Sequence, residues 1–195
     1  MRVDIWSDVV CPWCYLGKAR FAKALEGVTG PVEVVHRSFE LDPSWPAGER
    51  VSVNEMLSRK FGLPPDQARK AEEQVAGLAR AEGLDFQVER PYGSTFDVHR
   101  VMHAGGDAAR EAVDHAYFAQ GRDIFDPAVL AEVTGITLEG DEYADQVRAD
   151  EMAARDLGVT GVPFFVFDGR LAVSGAQATQ TFAEALSRAA EKETR

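Results

Sequence analysis

Every cysteine of this 195-residue chain lies in the stretch "SDVVCPWCYLGK" (residues 7–18), as Cys11 and Cys14 with Pro12 and Trp13 between them. Two thiols at this spacing have three readings: a redox pair, half of a metal site, or small residues packed in a core. If Cys11 caps a helix, Pro12 occupies the first helical position, where its missing N–H costs nothing and its fixed φ suits the turn. A thiolate at the cap then gains hydrogen bonds from N–H groups two or three residues on, together with the positive end of the helix dipole. Such placement lowers a cysteine pKa from about 8.5 into the range ~3.5–7.5. Cys14, one turn inside, loses most of that help, so the spacing divides the pair into a nucleophile and a resolving thiol. Asp8 works against the thiolate, since a nearby carboxylate raises its pKa. The metal reading would join the pair to His99 and His103 of "DVHRVMH", which stand four apart on an expected helix. The usual separation of such halves is about 12–15 residues and here it is on the order of 80, so the pattern fits zinc poorly. The histidines also read as an ordinary helix surface or core pair.

The elements around the pair give it a frame. "RVDIW" (2–6) reads as a strand, and "PWCYLGKARFAKALEG" as a helix with Leu16, Phe21, Ala24 and Leu25 on one face and Gly27 as its stop. "PVEVVHRSFEL" (31–41) reads as a second strand. From Asp42 a Pro- and Gly-rich loop leads into a block, Val51 to Gly158, that is helical in period nearly throughout. It is divided at 62–65, 82–93, 105–106, 121–127 and 135–141, with Asp126 a cap and Pro127 the first helical residue. Strands return in "VPFFVFDGRLAVSGA" (162–176), where Asp168-Gly169 is a hairpin signal. "TQTFAEALSRAAEKE" closes as a helix capped by Thr179. The order β-α-β, helices, β-β-α is an α/β chain of thioredoxin arrangement with a large all-helical insertion. Residues 1–45 and 158–195 would form the thioredoxin-like domain and 46–157 the insertion, its last helix packing on the sheet.

Composition narrows the partners. Hydrophobic residues make up 45% of the chain and charged residues 27%, ordinary for a chain that buries a core. The formal net charge of −11 argues against nucleic acid and anionic membrane, both of which call for clustered Lys and Arg. Asp4 and Asp8 interrupt any secretory apolar run, and no segment approaches the roughly 18 apolar residues of a membrane span. The expected location is the cytoplasm, where two cysteines are more readily catalytic than a structural staple.

Taken together, "SDVVCPWCYLGK", "RSFELDP", "STFDVHRVMH", "YFAQGRDIFDP" and "GVTGVPFFVFDGRLAVSGAQ" resemble the DsbA-like thioredoxin proteins, specifically their FrnE-like branch, over nearly the whole chain. The resemblance implies thiol-disulfide oxidoreductase activity through Cys11 and Cys14, supported by Pro12, Trp13, Val162 and Pro163. It also implies a cis bond at Val162-Pro163 opposite the cysteines, turning the Val162 backbone toward Cys11 to pair with an extended peptide beneath a roof of insertion helices. Disulfide-containing proteins or peptides are the expected substrates. A small thiol such as glutathione, or a protein such as thioredoxin, is the expected reductant, with no metal and no cofactor beyond the redox pair. The chain departs from the periplasmic DsbA enzymes in carrying Trp13 where they resemble each other in a His, so their extreme oxidising power does not carry over. Two other readings stay open. One is a glutathione-dependent isomerase or transferase resembling 2-hydroxychromene-2-carboxylate isomerases, which typically carry Ser at the nucleophile position. The other is a zinc- or partner-binding module. Phe39 and Glu40 of "RSFELDP" reach toward the site or are structural.

Overall fold

The computed structural model describes residues 1–191; the expected helical residues 192–193 lie outside that range. The chain divides into two compact units, one made of residues 1–41 with the segment from Arg148 onward, the other of Asp42–Val147.

In the first unit, β1 (Arg2–Ser7), β2 (Glu33–Ser38), β5 (Phe164–Phe167) and β6 (Leu171–Ser174) form one sheet in the order β2-β1-β5-β6. β1 and β2 run parallel with Ser7 opposite Ser38, and β5 and β6 are antiparallel additions. Alternation along the strands sends side chains to opposite faces. Val3, Ile5, Phe165 and Phe167 pack with Phe21 of α1 (Pro12–Leu25) and with Phe182 and Leu186 of α7 (Thr179–Glu191). The Phe165 and Phe182 rings stand 4.6 Å apart and the Phe21 ring 5.3 Å from Phe165, so three aromatic rings supply the centre of this layer. On the other face, Trp6 and Val166 cover Ala154 of α6 (Ala144–Asp156) and Val159.

α6 is also fixed to the sheet by polar contacts. The Trp6 indole N–H donates to the Asp150 carbonyl at 2.9 Å, and the buried Asp150 carboxylate accepts from the Ser38 N–H and from Arg37, both at 2.9 Å. Burying that carboxylate is tolerable because it is paired and bonded on both oxygens.

The second unit is not helical throughout. A two-stranded antiparallel sheet, β3 (Val51–Ser52) with β4 (Pro91–Tyr92), joins positions far apart in sequence. Around it lie α2 (Val53–Phe61), α3 (Pro65–Ala81), α4 (Phe96–Asp114), a π-helical turn His115–Ala119, and α5 (Pro127–Thr134). The "GG" expected as a break is a kink inside α4 instead: Gly106 alone leaves helical geometry, at φ 60° and ψ −145°, a conformation glycine reaches without a Cβ clash. Asp126 caps α5 as expected, accepting from the Ala128 N–H at 2.8 Å, with Pro127 in the first turn. At the core, Arg90 lies 4.3 Å from the centre of the Phe86 ring and pairs with Glu72 at 2.7 Å, while the Tyr117 hydroxyl donates to the Pro91 carbonyl.

Two further local expectations need correction. Thr179 is the first residue of α7 rather than its cap, and the Thr181 N–H turns back to the Ala178 carbonyl. The second strand covers only 33–38, because residues 39–41 leave β2 to make specific bonds to the turn before Cys11. At the hairpin, Asp168 and Gly169 both take positive φ (47° and 66°), and the Arg170 N–H closes the turn on the Phe167 carbonyl at 3.0 Å.

Candidate active site

The local sequence at the end of β1 builds the cysteine turn from its own backbone. The Cys11 N–H donates to the Asp8 carbonyl at 3.2 Å, Cys11 takes an extended conformation as the cap of α1, and Pro12 opens the helix. The Cys14 N–H then donates to the Cys11 carbonyl at 3.0 Å, placing the second thiol one turn inside. The two thiols are not joined to each other, and both are nearly closed off, with 4% and 1% of their surfaces exposed. Trp13, between them, is 43% exposed. Its ring is carried to the surface by the same turn that withdraws the sulfurs.

The expected capping bond is not made. No N–H of α1 reaches the Cys11 sulfur; instead the thiol donates to the Val162 carbonyl, with 3.6 Å between sulfur and oxygen. A neutral thiol is a weak acceptor but can donate to a carbonyl, which accounts for this choice in the reduced form. Val162-Pro163 is a cis peptide, and the Pro163 carbonyl accepts from the Gly175 N–H at 2.8 Å, tying this loop to the end of β6. Cys11, Cys14, Pro12, Trp13, Val162 and Pro163 are all carried by the first unit.

Burial pushes the Cys14 thiol well above an ordinary cysteine, and its hydrogen bond with Cys11 pushes the same way. The Asp8 backbone and the charge of Lys18 oppose this and are outweighed. One oxygen of the Asp8 carboxylate accepts from the Leu41 N–H at 2.7 Å.

The sequence reading did not single out Gly17. A Cβ built on it would lie 2.9 Å from Cγ of Pro163 and 3.4 Å from the Ala176 backbone, so a bare backbone is what lets α1 approach the proline loop. Its position one turn beyond Cys14 in "CYLGK" was the available signal. Also unassigned were Arg148 and Glu151 of α6, which meet Glu40: Arg148 lies 3.1 Å from the Glu40 carboxylate and 2.7 Å from that of Glu151. Burial first, and then the hydrogen bond and charge of Glu151, push the Glu40 carboxyl up to about 8.

His99 is fully buried in α4, and its backbone N–H donates to the Thr95 carbonyl. Among the described residues, no group of three or more His, Cys, Asp or Glu side chains is gathered so as to hold a metal ion. Nor is any described helix long and apolar enough to cross a membrane.

The likeness to known proteins extends over the whole of this arrangement. A solved structure described as the probable DsbA oxidoreductase SCO1869 from Streptomyces coelicolor is 44% identical, with a TM-score of 0.91 over 97% of this chain and 89% of that one. The uncharacterized protein YwbO of Bacillus subtilis (strain 168) is 28% identical, over 96% of each chain. The cytosolic disulfide reductase DsbM from Pseudomonas aeruginosa, at 19% identity and a TM-score of 0.56 over 100% of this chain and 98% of its own, shares the fold. The family model of the DSBA-like thioredoxin domain matches residues 2–187, and the chain belongs to that family.

Proposed function

We propose that this protein is a cytoplasmic thiol-disulfide oxidoreductase of the FrnE-like branch, acting through its CPWC motif on disulfide-containing proteins or peptides. The observation that carries this reading is the unequal pair: Cys11 at the start of α1 against the Val162 carbonyl, and Cys14 one turn deeper with its thiol held protonated by burial.

The chemistry follows from that asymmetry. As a thiolate, Cys11 attacks one sulfur of a substrate disulfide; a Cys11–substrate S–S bond forms, the substrate bond breaks, and the departing thiolate takes up a proton. Cys14 then loses its proton and attacks the Cys11 sulfur, releasing the second substrate thiol and leaving a Cys11–Cys14 disulfide. Two electrons have passed to the substrate. A thiol donor restores the dithiol by the same exchange in reverse, two glutathione molecules or one dithiol protein being oxidised in turn. The related DsbM has been solved with GSH, which supports glutathione as the donor to try first. The buried, protonated Cys14 must lose its proton before it can resolve the mixed disulfide, which gives that intermediate a lifetime, and Val162 beside Cys11 offers backbone polar groups to an extended peptide.

The test is direct. Wild-type protein should cycle between dithiol and intramolecular disulfide and reduce a model protein disulfide with glutathione present. Cys11→Ser should abolish turnover, and Cys14→Ser should accumulate covalent Cys11–substrate complexes. Failure of Cys11 and Cys14 to oxidise to each other under thiol trapping would overturn the assignment.

A further inference from the structure

Glu40 belongs to a motif that the exchange chemistry leaves unused, yet it stands at the reactive end of the sheet. β1 and β2 are parallel and end together, and the residues after β2 run alongside the turn that carries Cys11. The Phe39 N–H donates to the Ser7 carbonyl at 3.2 Å, the Leu41 N–H donates to the Asp8 carboxylate at 2.7 Å, and the Asp8 carbonyl receives the Cys11 N–H. Glu40 sits between the first two of these bonds. Its backbone is therefore two hydrogen-bonded steps from the nucleophile.

Its side chain points the other way, into α6, and is all but fully buried, with 2% exposed. There it meets Glu151, with Arg148 bonded to both carboxylates and Asp8 adding a further negative charge. Arg148 is half exposed, so water screens much of its charge. One guanidinium can neutralise one carboxylate; two ionised carboxylates in a buried contact repel, and one of them keeps a proton instead. The high titration of Glu40 agrees with this geometry. The neighbouring residue of α6 makes a different attachment: Asp150 is held by the Arg37 ion pair and the Ser38 N–H. α6 thus meets the end of β2 twice, once through Asp150 and once through the Arg148–Glu151 pair at Glu40.

We propose that Glu40 and Glu151 share one proton as a clasp between the segment 39–41 and α6, and that loss of this proton frees the turn carrying Cys11. Glu40 is then a positioning residue, acting on the thiol through Leu41 and Asp8. When the proton leaves, the two carboxylates and Asp8 face Arg148 alone, and the Glu40 side chain is driven from its buried place. The Leu41–Asp8 bond loosens with it, while the Asp150 attachment keeps α6 on the sheet. The inference takes Cys11 as the reactive thiol from the reading above, but its test uses no enzymatic readout, so the two fail separately.

The experiment is amide hydrogen exchange in the reduced full chain between pH 6 and pH 9.5, each rate normalised to intrinsic exchange at that pH, with Ile5 of β1 as the internal control. In wild type, protection of the Leu41 and Cys11 amides should fall about tenfold over the pH unit beyond the titration of the pair, while Ile5 stays flat. In Glu40→Gln, which keeps a donor toward Glu151 but cannot ionise, all three should stay flat. A wild-type profile for Leu41 and Cys11 parallel to that of Ile5, or an unchanged fall in Glu40→Gln, would overturn the clasp. Should Glu40→Gln not fold, Glu151→Gln is expected to give the same flat profile. Side-chain carboxyl NMR of the wild type decides in either event: one glutamate should titrate near pH 8, and a set that all titrates below pH 6 refutes the shared proton.

Discussion

Cys11 and Cys14 are both nearly closed off, and they differ in position: Cys11 caps α1 against the Val162 carbonyl, while Cys14 stands one turn inside the helix. The Cys14 sulfur is enclosed between the start of α1 and the Asp8 turn, and its thiolate would stand in a poorly solvating site. In Cys11→Ser, Cys14 should therefore react with iodoacetamide at pH 7.5 at least ~10-fold more slowly than an unhindered cysteine. A rate equal to that of a model thiol would show that burial does not restrain it. The turn that places one thiol at the cap and the other one turn inside was legible in the sequence, because it depends on four consecutive residues and a proline at the first helical position. The partner of the Cys11 thiol was not legible from spacing, since Val162 is 151 residues away and only the family resemblance placed its backbone toward Cys11. The same distance effect hid the engagement of Asp8: its charge is visible in the sequence, whereas the Leu41 N–H that binds it is brought there by the parallel pairing of β1 and β2.

At the scale of elements, the α1–loop contact turns on a missing side chain. Glycine inside a helix ordinarily costs ~1 kcal/mol relative to alanine, so propensity alone would make Gly17→Ala stabilising. Here the added methyl would press on the Pro163 ring at 2.9 Å and on the Ala176 backbone, neither of which is a flexible chain end. Overpacking of this kind typically costs about 1–3 kcal/mol and wins over propensity. Gly17→Ala should lower stability by roughly that amount in chemical denaturation and slow disulfide reduction; a variant more stable than wild type would show that α1 can draw back freely. Attachment of α6 gives a second case. Asp150→Ala leaves the buried Ser38 N–H without its acceptor and Arg37 with only Asp4, so a loss of about 2–3 kcal/mol is expected. A change below about 0.5 kcal/mol, the range of ordinary surface substitutions, would place the grip of α6 elsewhere. Elements with local signals were legible, as Asp126-Pro127 and Asp168-Gly169 illustrate. The β3–β4 pair was not, because two-residue strands have no period and exist only through a partner about forty residues distant.

For the whole molecule, helical period assigns α6 to the 46–157 insertion, and only the expectation that this last helix packs on the sheet points to the body it serves. The sequence of α6 continues the run before it, yet the division of the chain falls at Arg148, where Asp150 and Ala154 begin to meet the sheet. Ionisable groups act on stability from opposite ends of the pH range, and the first unit holds groups of both signs. In the first unit, burial would raise the Asp4 carboxyl, but hydrogen bonds from Arg2 and Arg37 outweigh it and hold Asp4 below its ordinary value. In the second, burial of Asp42 is likewise outweighed by Ser44 and Lys60. Each contributes stability that is present above the ordinary carboxylate range and lost as pH falls through the depressed value. Glu40 has the opposite sign. Raised from 4.5 to about 8, it stays protonated in the folded protein at pH values where the unfolded chain has already released its proton. Stability therefore declines as pH rises from about 4.5 toward 8, by an amount on the order of several kcal/mol at the upper end, and levels off beyond. The urea midpoint of unfolding in the first unit, followed by Trp6 and Trp13 fluorescence in a Trp45→Phe background, should peak near pH 5–6 and fall toward pH 8. In Glu40→Gln the acid limb should persist, since Asp4 is untouched, while the fall toward pH 8 should largely vanish. A midpoint that keeps rising between pH 6 and pH 8 in the Trp45→Phe protein, or an alkaline fall undiminished in Glu40→Gln, would mean that Glu40 is ionised in the folded protein throughout.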